Sequence, residues 1–154
     1  MLWLKSFFAG RSHQTKVEST LSDTAVLLSG VVQGSGIGPL MFLTYINELI
    51  SILEEFGVVV KLFADDVKMY VKIINDVGMV QLQRAVSALV DWAHEWQLAI
   101  SIEKCCVLNI GQCTVTPHVT IDKCILPVVP QTRDLGVIVC ANLSPTVHVC
   151  DVVG

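Results

Sequence analysis

Asp65 and Asp66 stand side by side in the stretch Phe63-Ala64-Asp65-Asp66. Residues 57–62 before them and 67–72 after them are rich in β-branched and aromatic types. Such runs read as strands, so the acidic pair falls near the tip of a hairpin. Two adjacent carboxylates repel each other. One reading is a solvated turn, because Asp is a common turn residue. The other is a divalent-metal site, in which a cation cancels the repulsion and hard oxygen ligands suit magnesium. The small Ala64 and the nearly unbroken apolar strand ahead of it bring the metal reading level with the turn reading.

A second stretch makes the pair more specific. Ser29-Gly30-Val31-Val32-Gln33-Gly34-Ser35-Gly36-Ile37-Gly38-Pro39 is dense in glycine and leads into a helix with Pro39 near its first turn. Alone, such a stretch is either a flexible connection with ordinary capping or a place where a nucleotide backbone meets the exposed amides of a helix N-terminus. Here a hairpin tipped by two aspartates follows within about 25 residues. Joining nucleotides needs both devices. One orders a template and an incoming nucleotide, and the other holds metal ions that activate a primer hydroxyl and stabilise the pyrophosphate leaving group.

The elements that must position these residues follow from periodicity. Residues 1–10 read as the end of a helix with Gly10 as its C-terminal cap. Residues 15–18 and 25–28 read as short strands joined by a turn over 19–23. The glycine-led helix is expected to run to about Glu55, with Leu43, Ile46, Ile50 and Leu53 on one core-facing stripe and Asn47, Glu48, Glu54 and Glu55 on the wet side. Residues 76–96 read as a second helix, capped by Asp76 and carrying Leu82, Val86, Leu89, Ala93 and Trp96 as its stripe. On that helix Trp92 and Trp96 read as core residues rather than base-stacking platforms. Residues 105–110, 115–121 and 135–139 are strand candidates, the last two interrupted or flanked by Pro117, Pro127 and Pro130. The order predicts an α+β fold, with helices on one face of an antiparallel sheet and a small β segment after it.

A chain of 154 residues can bury one domain's core. Its residues are 53% apolar and 16% charged, against roughly 25% charged in ordinary soluble domains. No apolar run reaches the ~18 residues of a spanning helix, so no membrane role is expected. The apolar start has only Lys5 as a leading charge and no cleavage site, so it does not read as a signal peptide. The six cysteines (Cys105, Cys106, Cys113, Cys124, Cys140, Cys150) form no C-x-x-C pair, and His13, His94, His118 and His148 are scattered. Zinc binding is therefore set aside, and the thiols are expected to be reduced and mostly buried. A net charge of −4 is not that of a complete nucleic-acid-binding protein, which would carry a basic surface.

Taken together, the ordered blocks resemble the reverse transcriptase of non-LTR (LINE-like) retrotransposons over nearly the whole chain. Residues 30–49, from Gly30-Val31-Val32-Gln33-Gly34-Ser35 through Tyr45-Ile46-Asn47-Glu48-Leu49, are similar to that family's second palm block. Leu62-Phe63-Ala64-Asp65-Asp66 is similar to its acidic block. Trp92-Ala93-His94-Glu95-Trp96-Gln97-Leu98 with Glu103-Lys104-Cys105 is similar to the helix end and lysine-bearing turn that follow. Arg133-Asp134-Leu135-Gly136-Val137 resembles the small hairpin that grips the primer, and the segment from Trp3-Leu4 to Arg11 fits what precedes the second block.

The resemblance implies a partial palm over residues 1–111 and a small β segment over 112–154 that carries the primer-grip-like hairpin. It implies Asp65 as a metal ligand and Asp66 as the second acid, with two magnesium or manganese ions in the parent enzyme. It implies Gln33, Gly34 and Ser35 at the template–nucleotide pair, and Leu135 and Gly136 at the primer. Lys104 is the implied proton donor to pyrophosphate, beside the plain reading of a solvated lysine in a turn. The partners implied are an RNA template, a DNA primer and deoxynucleoside triphosphates, with a nuclear or cytoplasmic setting.

The chain also departs from the pattern. Before Gly30 only Glu18 and Asp23 are acidic, and neither sits in the context of the family's earlier metal-binding aspartate. The fingers and the upstream palm segment are expected to be missing, which fits the acidic balance and leaves apolar surface bare. Val32 stands where the family has proline, and Gly36-Ile37 replaces its usual apolar pair. Two function classes follow: a nucleotidyltransferase segment inactive by itself, or a degenerate, non-catalytic relic serving as a nucleic-acid or protein interaction module.

Overall fold

The computed structural model describes residues 2–74, 76–111 and 117–154, which divide into two compact units, 1–47 and 48–154. The first opens with helix α1 (Leu2–Phe8). Gly10 follows at φ +63°, the left-handed backbone of a helix-ending glycine. Strand β1 (Ser12–His13) pairs antiparallel with β4 (Ala25–Val26), and between them β2 (Lys16–Val17) pairs with β3 (Thr20–Leu21). This corrects the expected pairing of 15–18 with 25–28. Glu18 takes φ +54°, so the chain turns back after two residues and pairs with Thr20–Leu21. Helix α2 (Gly38–Ile46) closes the unit. Only Gly38 and Ile46 are buried among its described residues, while Leu2 and Leu28 are 87% and 93% exposed. Its apolar surface is bare, as the composition foretold.

The second unit holds the core. Helix α3 (Glu48–Glu54) begins after a break at Asn47, so the long helix expected to Glu55 is two helices. In α3 Leu49 and Leu53 are buried and Ile50 is half-buried; in the first unit Ile46 is buried, whereas Leu43 is exposed. Strands β5 (Val59–Phe63) and β6 (Asp66–Tyr70) form the expected hairpin. Helix α4 (Asp76–Glu95) matches the predicted span and buries Val86, Leu89, Trp92 and Ala93. Asp76 is its first residue rather than its cap, and residue 75 lies outside the described residues. The helix ends in a Schellman turn. Gln97 sits at φ +57°, the Leu98 amide donates to the Ala93 carbonyl at 2.8 Å, and the Gln97 amide donates to the His94 carbonyl at 3.2 Å.

A 3₁₀ turn (Ile102–Lys104) leads to β7 (Val107–Leu108), all that remains of the strand expected over 105–110. Strand β8 (Thr120–Ile121) pairs with β9 (Cys124–Ile125) through Asp122 and Lys123, both left-handed, as a two-residue hairpin of this twist requires. Residues 115 and 116 of the strand expected there lie outside the described residues. Strand β10 (Val128–Val129) runs parallel to β7, β11 (Gln131–Asp134) pairs with β12 (Val137–Cys140), and helix α5 (Thr146–Val153) packs on β12.

The architecture is α+β. The single antiparallel sheet of the sequence analysis is not what forms: among the described residues the strands make six two-stranded pairs, one of them parallel. Most strands are two residues long, too short to offer a second edge along a shared ladder. The core lies between α4 and the β8–β9 hairpin, where Val86 and Val90 meet Val119, Ile121 and Leu126. Of the five described cysteines only Cys140 is buried, which corrects the expectation of mostly buried thiols; Cys124 and Cys150 are exposed at a turn and on α5. No described helix is long and apolar enough to cross a membrane.

Candidate functional site

The β5–β6 register sets the chemistry of the acidic pair. Phe63 pairs with Asp66, so Ala64 and Asp65 alone make the turn. Ala64 adopts φ +51°, a backbone that costs a residue with a Cβ about 1–2 kcal/mol. Strain of this kind concentrates where side chains must be aimed. Asp65 and Asp66 are both exposed, and neither carboxylate makes a hydrogen bond or ion pair with a described residue. Two unpartnered carboxylates on a tight turn are suitable donors for one hard cation. Magnesium is held by one or two carboxylates with waters and phosphates filling the rest of its shell. Among the described residues no group of three or more His, Cys, Asp or Glu side chains gathers, so the pair fits part of a metal site.

Strand alternation gives the hairpin two faces. Val60, Leu62, Val67 and Met69 turn inward, and Met69 packs on the α4 core. Val59, Lys61, Phe63, Asp66, Lys68 and Tyr70 lie on the other face, with Lys61 directly opposite Lys68. Like charges so placed repel. Lys68 is partnered elsewhere: its ammonium forms an ion pair with Asp134 at the end of β11. Sequence reasoning missed this link, because no local pattern ties two residues that far apart in the chain.

Asp134 immediately precedes Leu135 and Gly136, the two residues singled out at the primer-grip-like hairpin. They form its two-residue turn, both left-handed at φ +47° and +89°. Leu135 is exposed there. Arg133 braces the same hairpin, donating to the Gly136 carbonyl at 3.2 Å and pairing with Asp151 of α5 at 2.8 Å. The His148 Nδ1 accepts the Ile138 amide at 3.4 Å. The structure thus brings the acidic turn and the second hairpin onto one connected framework.

Lys104 lies exposed in the 3₁₀ turn and forms no ion pair with either aspartate. Trp92 is core, its indole N–H donating to Glu48 at 3.1 Å, while Trp96 is 41% exposed.

Gln33, Gly34 and Ser35 belong to the first unit. The Ser35 amide donates to the Val32 carbonyl at 3.2 Å, closing a turn with Gly34 at φ +79°, the position that demands glycine. Gln33 and Gly34 are exposed at its tip. The Ser35 hydroxyl is spent on the fold: it donates to Val32 O at 2.7 Å and accepts the Gly38 amide at 3.0 Å at the start of α2. A Cβ on Gly38 would lie 2.8 Å from both Ser35 Oγ and Val32 O, so only glycine fits. Arg11 ties the stretch to α1, donating to Gly30 O at 2.6 Å and Phe8 O at 3.1 Å, with its guanidinium 5.4 Å from the Phe8 ring.

The family described as "Reverse transcriptase (RNA-dependent DNA polymerase)" matches residues 1–139. The chain is 28% identical to the RNA-directed DNA polymerase from mobile element jockey of Drosophila funebris, over 95% of this chain and 17% of that protein. It is 23% identical to the jockey polymerase of Drosophila melanogaster, over 98% and 17%. It is 27% identical to the probable RNA-directed DNA polymerase from transposon X-element of the same fly, over 97% and 17%. The chain therefore spans about a sixth of the length of these relatives. No solved structure matches it.

Proposed function

The chain belongs to the reverse transcriptase family, and from that premise we propose that it is a palm segment of a non-LTR retroelement polymerase whose acidic turn takes part in two-metal nucleotidyl transfer. The observation that carries this is the pair Asp65 and Asp66, adjacent and exposed where a two-residue turn meets its strand, with no partner for either carboxylate among the described residues. A magnesium or manganese ion bound there would supply Lewis acidity to a primer hydroxyl and a triphosphate. The protein's own part is positional. Asp65 offers the ligand oxygens, and Asp66 adds negative charge beside it. The Gln33–Gly34 turn presents exposed backbone toward a template–nucleotide pair, and Leu135–Gly136 presents a hairpin tip toward the primer end. Lys104 is free to give a proton to departing pyrophosphate.

In this reading residues 1–111 are the palm part and 112–154 the primer-grip part, acting on an RNA template, a DNA primer and deoxynucleoside triphosphates. The 154 residues alone do not polymerise, because two carboxylates are half of a two-ion ligand set. Primer extension on an RNA template with magnesium or manganese tests the proposal. The isolated chain should give no product, and a full-length polymerase carrying this segment should lose activity with Asp65→Asn. Template-dependent extension by the isolated chain would show that these residues suffice. A second reading, a non-catalytic interaction module, draws on the bare apolar surface of the first unit. Retained activity in the Asp65→Asn polymerase would favour it.

A further inference from the structure

Lys68 is the residue best placed to spoil the acidic turn. It stands two positions from Asp66 on the same strand face, so about 6.7 Å separates their backbones. A lysine side chain spans that gap easily and would place its ammonium on the carboxylate. Lys61, opposite Lys68, adds a second positive charge to the face and pushes Lys68 away from itself. Yet Lys68 turns to Asp134, and the pair is three-quarters buried at the lysine and 30% exposed at the aspartate, shielded enough to persist.

We propose that Asp134 is a positioning residue that holds Lys68 off the acidic turn, keeping Asp65 and Asp66 open to a divalent cation. This rests on reading those aspartates as cation ligands. It goes beyond that reading by giving a role to two residues that would not touch the ion. Without Asp134, Lys68 swings to Asp66 and competes with the cation for the same oxygens. One unit charge some 6–7 Å from a divalent ion changes its affinity by about three- to tenfold in a water-like dielectric.

The test uses manganese chloride and the full 154-residue chain. Paramagnetic broadening of the Ala64, Asp65 and Asp66 amide resonances gives an apparent affinity, and thermal melts confirm that each variant folds. Asp134→Asn should weaken manganese binding about three- to tenfold, Asp134→Glu should restore it, and Asp134→Asn combined with Lys68→Met should return it to about the wild-type value. An Asp134→Asn variant that binds as the wild type does overturns the inference. So does a double variant that stays weak, because bracing rather than charge would then be what Asp134 contributes. The cation reading fails separately: if Asp65→Asn with Asp66→Asn leaves the broadening unchanged, or the wild type shows none, those acids are not ligands and the inference falls with them.

Discussion

Gln83 on α4 completes a strand it does not belong to. Its side-chain amide donates to the Thr120 carbonyl at 3.0 Å and accepts the Thr120 amide at 2.8 Å, so one residue of the helix pairs with β8 as a neighbouring strand would. The contact lies beside the core of Val86, Val90, Val119 and Ile121, and it fixes where the β8–β9 hairpin sits on the helix. Gln83→Ala leaves both backbone groups of Thr120 without a partner and should cost about 1–3 kcal/mol. Gln83→Glu keeps the acceptor but repels the carbonyl, and should fall between the two. Urea midpoints at unchanged slope measure this.

The acidic turn makes separate predictions for stability and for function. Asp65→Asn removes repulsion at an exposed site, so the isolated chain should keep its stability within about 0.5 kcal/mol. In a full-length polymerase the same change should lower the extension rate by about two to three orders of magnitude, the scale for losing a preorganised charge contact. Asp66→Asn should be milder. Equal, small effects of both changes in primer extension would mean that neither aspartate meets an ion.

The acidic hairpin was legible because everything that makes it is local: two β-rich runs, a small residue and two acids in one short stretch. Helix α4 was legible for the same reason, its apolar spacing being long and regular. What the sequence hid depends on backbone sign and distance. Nothing in the residue type of Glu18 announces φ +54°, so the first strand pairing was misassigned. Leu43 has the spacing of a core residue and is exposed, while Leu49, off the expected stripe, is buried, because burial depends on what covers a face as well as on spacing. The Lys68–Asp134 pair joins residues from different hairpins and leaves no periodic trace. Ser35 was placed toward a nucleotide by resemblance, while its hydroxyl is engaged in closing its own turn.

The turn of the second hairpin carries Leu135 in the left-handed region at φ +47°, where asparagine or glycine is the usual choice. Leu135→Asn should therefore raise stability by about 0.5–1 kcal/mol, because the short amide side chain of asparagine hydrogen-bonds the local backbone and so tolerates the left-handed region. A leucine kept 52% exposed at a strained position is expected to serve contact rather than folding. In a full-length polymerase the same substitution should raise KM for primer–template and leave kcat nearly unchanged. A drop in kcat at constant KM would place Leu135 away from the primer.

Cys105 gives a pH-dependent prediction. Burial pushes its thiol up, and the neighbouring Cys106 adds to the shift in the same direction. The thiolate is the nucleophile, so at any pH between the ordinary thiol value and the raised one Cys105 is less ionised than an unhindered cysteine. Iodoacetamide should label exposed Cys124 and Cys150 first, with Cys105 lagging and catching up only as the solution becomes strongly alkaline. Linkage fixes the sign for stability. The folded state favours the protonated thiol, so this contribution is fully present below the unfolded pKa and is lost as pH rises through the folded one. Cys105→Ser should flatten the decline in stability on the alkaline side. Peptide mapping of the alkylated cysteines across that range, beside urea melts of both proteins, checks the two halves of the prediction independently.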